Sequence, residues 1–209
     1  MTQTMTMSGA DAREEPPAVG GGAMTMGDAR DRYYEINGFG ADGGDSLKWV
    51  PIDVFGLKLY IPNTEGRRRA VRIHDLHHVL TGYRTDFTGE TEIAAWEIAS
   101  GCKRWPAAWV LNLLGLGAGI VIAPRRVARA WALGRKTGNL YGERAGVDHV
   151  LPRRVDEVRA TLGLDRPAPA VRARDAIAVA AVGLPMLGVL AAITLTPIVA
   201  VVAVIAAIV

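Results

Sequence analysis

Three features of this 209-residue chain predict a mainly α-helical protein. Capped helical segments run from Asn63 to about residue 165, and the stretch Ala176 to Val209 carries no charged side chain. Only one short segment, Lys48 to Ile61, alternates in the way strands do. The expected architecture is a helical bundle-like core. A short N-terminal β-hairpin precedes it, and a C-terminal membrane helix or re-entrant hairpin follows.

Residues 1–30 contain Pro16-Pro17 and Gly20 to Gly22 with little apolar periodicity, and are expected to be disordered. Residues 46–62 are expected to form the hairpin around Gly56. Leu57, Leu59 and Ile61 alternate there with Lys58 and Tyr60, and Pro51 and Pro62 confine the strands to edges. The core is assigned to residues 63–165. Its first helix has N-cap types at Asn63 and Thr64, Glu65 in the first turn and Gly82 as a stop. A second helix is expected from Thr88 or Gly89 to near Gly101.

Residues 107–123 are apolar with scattered glycines, at the lower limit of a spanning helix. They are read as a core or interfacial helix, because a crossing here separates the two halves of the core. Residues 175–209 exceed the ~20 residues a bilayer crossing needs. They form one tilted helix, or two segments broken at Thr194 to Pro197. Arg166, Arg172 and Arg174 precede this tail, so the positive-inside rule places residues 1–174 in the cytoplasm.

A net charge of +3 with 22% charged residues, and no basic stripe interleaved with aromatics, argues against nucleic-acid binding. The single cysteine, Cys102, excludes an internal disulfide and a cysteine-rich zinc site. The N-terminus has neither the basic and apolar regions of a secretory signal nor a convincing mitochondrial presequence.

The chemistry concentrates between His74 and Glu90, in HDLHHVLTGYRTDFTGE. His74 and His78 stand four residues apart, so their side chains leave a helix only ~40° apart. One helix clamps a divalent metal this way in HExxH proteins. Asp75 lies ~100° from His74 and ~60° from His78, on the flank of the same face. His77 falls on the other side of His74 and is the poorer ligand. Glu90, in the first turn of the next helix, points back across a short loop. Glu97, two turns deeper, lines the same groove or pairs with Lys103 or Arg104. Tyr83, Arg84 and Asp86 are expected to be solvated loop residues. Spacing alone leaves metal ligation and a structural role for the histidines open.

These residues resemble the signature of a known family, the fourth coenzyme Q (ubiquinone) biosynthesis protein. His74-Asp75 and His78, followed after eleven residues by Glu90, match its HDxxH…E motif. Val79 to Gly82, Thr88-Gly89-Glu90 and Trp96-Glu97 resemble the flanking segments. Tyr141-Gly142-Glu143, Leu151 and Val155 to Leu164 resemble the closing one. The resemblance covers about residues 64–165. It implies an almost all-helical fold, membrane association and a divalent metal, usually zinc, at His74, Asp75, His78 and Glu90. It also implies removal of the C1 carboxylate from a polyprenylated hydroxybenzoate, with or without C1 hydroxylation, and in eukaryotes a scaffolding role. The chain departs from the family in its short front, in His77, and in its apolar tail.

Two functions are expected from this. The first is a membrane-associated metal-dependent decarboxylase. His74, His78, Glu90 and Asp75 hold zinc, with Fe(II) as second choice, and His77 or Glu97 supplies a proton. The second is a non-catalytic prenyl-lipid-binding scaffold with a structural metal, organising other quinone-biosynthesis enzymes. Four protein ligands close the metal and three leave a position open, so the place of Asp75 separates the two. A hydrolase ranks last, since Asp75 is one carbon short of the HExxH acid.

Overall fold

A computed structural model describes residues 23–54, 57–143 and 147–208. It is mainly helical, with one two-stranded antiparallel hairpin. The first helix, α1 (Met26–Asn37), begins inside the stretch expected to be disordered. Thr25 caps it by accepting from the Asp28 amide at 3.1 Å, and Gly38, at φ 67°, ends it in the left-handed conformation. Its start is tied to distant backbone: Met26 N–H donates to Arg153 O at 2.8 Å, and Val155 N–H donates to Met24 O at 2.9 Å. Met26 and Ala29 are fully buried. Pairing with residues some 125 positions away leaves no local signature, which is why the boundary at residue 30 moves to residue 25 or earlier. Residues 1–22 lie outside the described residues.

Strands β1 (Trp49–Val54) and β2 (Leu57–Pro62) pair from Trp49↔Pro62 to Val54↔Leu57, as the alternation predicts. The turn at Gly56 lies outside the described residues. Helix α2 (Glu65–Thr81) starts at a Thr64 cap and stops at Gly82, φ 75°. Helix α3 (Phe87–Ser100) starts one residue earlier than expected, because Asp86 is its N-cap and accepts from the Gly89 amide at 2.8 Å. Asp86 is thus a structural cap rather than a solvated loop residue.

Helix α4 (Pro106–Ile122) covers the 107–123 segment, and α5 (Pro124–Gly134) follows at once. A 3-10 turn (Leu140–Gly142) and the short α6 (Val155–Leu162) complete the core. Helix α3 is central, packed by α4 and α5, with α2 crossing its flank. Trp96, Ile73, Leu76, Leu80, Ile93, Leu116 and Val127 fill the interior.

The tail is one continuous helix, α7 (Ala173–Ile208), which runs through Pro185 and Pro197 without a break. At 1.5 Å per residue it is about 54 Å long. Its stretch Ala173–Pro197, mean hydropathy 2.4, is long and apolar enough to cross a membrane, and little of it is buried in the protein. Helix α7 packs on α4 at glycines: a Cβ on Gly117 would lie 2.9 Å from the backbone of Met186 and Leu187. A Cβ on Gly183 would lie 2.6 Å from Ile120 Cγ2. Residues 117 and 120 therefore meet 186–187 and 183 respectively, so the two helices run antiparallel.

Candidate metal centre

Helix α2 presents His74 and His78 on one face, as the four-residue spacing requires. Asp86 starts α3 so that Glu90 sits in its first turn, opposite them. His74 Nε2 and His78 Nε2 lie 3.1 Å apart. Glu90 Oε2 is 3.3 Å from His74 Nε2, and Glu90 Oε1 is 3.3 Å from His78 Nε2. One ligand atom from each residue lies within 4.8 Å of the others, so the three could hold a metal ion.

The outer nitrogens of both rings fix their tautomers. His78 Nδ1 faces the Tyr83 carbonyl at 2.8 Å, an acceptor only, so Nδ1 carries the proton. His74 Nδ1 faces the Glu97 carboxylate at 3.0 Å and carries its proton for the same reason. In the neutral rings both Nε2 atoms are then lone pairs, directed at each other and at a carboxylate. Three electron-rich atoms converge on one point, and a cation resolves their repulsion. Ligands bonded at about 2.05 Å to a tetrahedral ion are about 3.3 Å apart, and around an octahedral ion about 2.9 Å apart. The observed separations of 3.1 to 3.3 Å match such a shell.

Without a metal a proton takes that place. Burial works against a charged His74, but the Glu97 charge and the hydrogen bonds to Glu90 and Glu97 outweigh it and hold the ring well above pH 6.5. Burial likewise opposes a charged Glu90, and hydrogen bonds from His74 and His78 pull its carboxyl down to about 2. The Glu90 side chain is 44% exposed and His78 only 1%, so the open side of the cluster is at Glu90.

Behind His74 lies a buried polar hub. Glu97 is fully enclosed. Its Oε1 accepts from His74 Nδ1 at 3.0 Å and His77 Nδ1 at 2.6 Å. Its Oε2 accepts from Tyr141 Oη at 2.8 Å and from Asn112 Nδ2. Burial opposes the charge, but His74 and the hydrogen bonds keep the carboxyl far below its usual range. Among the described residues, its partners are these four donors rather than Lys103 or Arg104. His77 is equally enclosed: its Nε2 accepts from the Leu140 amide at 2.9 Å, and its ring lies edge-on to Trp96 and Tyr141. Burial pushes its pKa down, so it is a neutral link between Glu97 and the 3-10 turn.

Of the sequence-predicted residues, His74, His78 and Glu90 therefore meet. Asp75 stands apart, with Oδ2 accepting from the Tyr34 hydroxyl at 3.1 Å. That hydrogen bond, made from α1, turns the expected fourth ligand away from the other three. His77 and Glu97, expected to supply a proton, have their polar atoms used within the core and offer none to the open side. Glu97 holds the His74 ring in place, and His77 is tied to Glu97. Tyr83, expected in solvent, gives His78 its carbonyl.

Sequence reasoning missed four residues. Asn112 left a signal, as the lone polar side chain in α4. Tyr141 lies in a string noted for its resemblance but given no role. Tyr33, whose ring stacks on His78 at 5.5 Å, and Tyr34 left none, because α1 was not expected. No family model, curated protein or solved structure matches this chain.

Proposed function

We propose that this protein is a membrane-associated metalloenzyme of ubiquinone-type quinone biosynthesis. Its reaction is removal of the C1 carboxylate from a polyprenylated 4-hydroxybenzoate-type head group. The observation that carries this reading is the convergence of His74, His78 and Glu90 with an open side at Glu90. Three protein ligands leave a position for substrate oxygen, whereas a structural zinc site is closed by four. The engagement of Asp75 by Tyr34 therefore favours the enzyme over the scaffold with a structural metal. The motif's resemblance to the coenzyme Q family supplies the substrate class.

When bound, zinc or Fe(II) supplies a Lewis acid that polarises the carboxylate or phenolic oxygens of the aromatic acid. The chain's own part is to hold and orient. Glu97 and the Tyr83 carbonyl lock the two imidazoles. Glu90 straddles both Nε2 atoms at the mouth. The C1–carboxylate bond breaks, carbon dioxide leaves, and C1 takes a proton from water at the open rim. Helix α7 keeps the site at the bilayer, with Arg166, Arg172 and Arg174 on the cytoplasmic side.

The test is metal content of detergent-purified wild type, His78→Ala and Glu90→Ala, each then given a short-chain prenylated hydroxybenzoate with and without air. One metal per chain, lost in both variants together with carbon dioxide release, supports the proposal. Dependence on oxygen separates plain decarboxylation from coupled hydroxylation. Bound metal without turnover, with co-purifying isoprenoid lipid, replaces the enzyme by the scaffold.

A further inference from the structure

Helix α4 has three sides. One packs on α3, where a Cβ on Gly115 would lie 2.9 Å from Ala94 Cβ and where Asn112 reaches Glu97. A second packs on α7 through Gly117. The third carries Val110, Leu111, Val121 and Ile122, which are exposed at 58%, 39%, 64% and 43%. Val110 and Val121 lie about 20° apart around the helix and Leu111 and Ile122 about 100° further on, with the half-buried Leu114 and Ala118 between them, so these residues form a broad stripe along one side. The stripe borders α7, whose Ile177, Leu184, Ile193 and Leu195 are also exposed. Two packed helices thus both present exposed large apolar side chains, the kind of surface that marks contact with a membrane or a partner.

Charge limits how that surface can meet a bilayer. Exposed Lys103 and Arg104 precede α4, and exposed Arg125 and Arg129 follow it. The 17 residues of α4 measure about 25 Å, most of a ~30 Å hydrocarbon core. Upright in the bilayer, the helix would draw the polar core packed on its other side, where Asn112 meets Glu97, into lipid. Lying along the surface, it keeps both pairs among the headgroups. Helix α7 runs antiparallel along α4 and takes the same tilt over the packed length.

We propose that α4 and α7 together form a lipid-contact surface that lies along the membrane, with the α4 stripe in the acyl chains and its cationic ends on anionic headgroups. Helix α4 is then more than a core helix. One side faces lipid while the other supplies Asn112 to Glu97, so lipid and the buried Glu97 hub behind His74 are about one helix diameter, ~10 Å, apart. The inference rests on the apolar character of α7 and not on the metal chemistry, so the two readings fail separately.

The test places single nitroxide labels on the full chain through Val110→Cys, Val121→Cys, Ile193→Cys and Thr161→Cys. The buried Cys102 is checked as background in wild type. The protein is reconstituted in phosphatidylcholine–phosphatidylglycerol nanodiscs, and relaxation of each label by oxygen and by a water-soluble nickel chelate is compared. The expected result is that oxygen dominates at 110, 121 and 193, at similar shallow depth, and the chelate at 161. Chelate access at 110 and 121 with oxygen dominant at 193 overturns the proposal and leaves α7 as a lone anchor. Low access to both reagents at 110 and 121 also overturns it, since a protein surface then covers the stripe. Oxygen dominance at 110 and 121 at widely different depths refutes the in-plane orientation.

Discussion

Glu97→Gln probes the hub behind His74 most directly. The glutamine keeps the side chain's shape but replaces one acceptor oxygen by an NH2 group. In the wild type Oε1 receives two donors, His74 Nδ1 and His77 Nδ1, and Oε2 receives two, Asn112 Nδ2 and Tyr141 Oη. With its NH2 toward the histidines the amide faces two donors; turned the other way it can donate to the Tyr141 hydroxyl oxygen and leaves only Asn112 without its acceptor. One or two hydrogen bonds to a charged acceptor are therefore lost, at roughly 1.5–3 kcal/mol each, a destabilisation of about 1.5–6 kcal/mol. That is a large share of the roughly 5–15 kcal/mol that holds a domain together. Tyr141→Phe is the milder companion: it removes one donor, about 1.5–3 kcal/mol, and leaves the ring against His77 at 4.9 Å. The His74 ring also loses its anchor in Glu97→Gln, so zinc affinity falls about 10–100-fold. Urea unfolding in detergent, followed by circular dichroism, reads the stability, and competition with a chelator reads the affinity. The reasoning is refuted if Glu97→Gln unfolds at the wild-type midpoint and binds zinc as tightly.

Three further outcomes follow from the same geometry. Asp75→Asn is expected to keep one metal per chain, since Asp75 serves Tyr34; loss of metal measured by mass spectrometry would return Asp75 to the ligand set. For pH, the folded pKa of His74 is raised, so its contribution to metal-free stability is full below about 6.5 and is lost as pH rises through that higher value. Glu90, lowered to about 2, contributes above about 4.5 and loses its contribution as pH falls. The metal-free cluster is thus best satisfied between these limits, and above them a metal replaces the proton. The rise in melting temperature on adding zinc is therefore expected to grow from pH 5.5 to pH 8, and a flat profile contradicts proton competition at His74. Gly117→Val forces a side chain against the α7 backbone and is expected to cost about 1–3 kcal/mol, whereas Gly66→Ala, with open space around it, is expected to be neutral or slightly stabilising in the same thermal assay.

The convergence of His74, His78 and Glu90 was readable because its signals are local. The four-residue step from His74 to His78, the Gly82 stop and the short loop to Glu90 each act within a turn or two of chain. The hairpin was readable for the same reason, from the alternation of Leu57, Leu59 and Ile61. The Tyr34 hydrogen bond to Asp75 was not readable, because flank geometry on one helix does not show what a second helix offers. Tyr34 comes from α1, 41 positions earlier, and its hydroxyl decides where the carboxylate turns. Glu97 lies beside His74 as its spacing suggests, but its surroundings depend on two donors from distant elements, Asn112 of α4 and Tyr141 of the 3-10 turn.

The sequence by itself determined the helical class, the pairing of His74 and His78, the opposing Glu90 and the apolar tail. Helical periodicity, caps and hydropathy are properties of contiguous residues. Tertiary structure alone decided three things: that Tyr34 takes Asp75, that Asn112 and Tyr141 fix Glu97 behind His74, and that α7 runs unbroken and antiparallel along α4. Each depends on side chains or glycines brought together from distant positions, where close packing and the satisfaction of buried polar groups choose the partner.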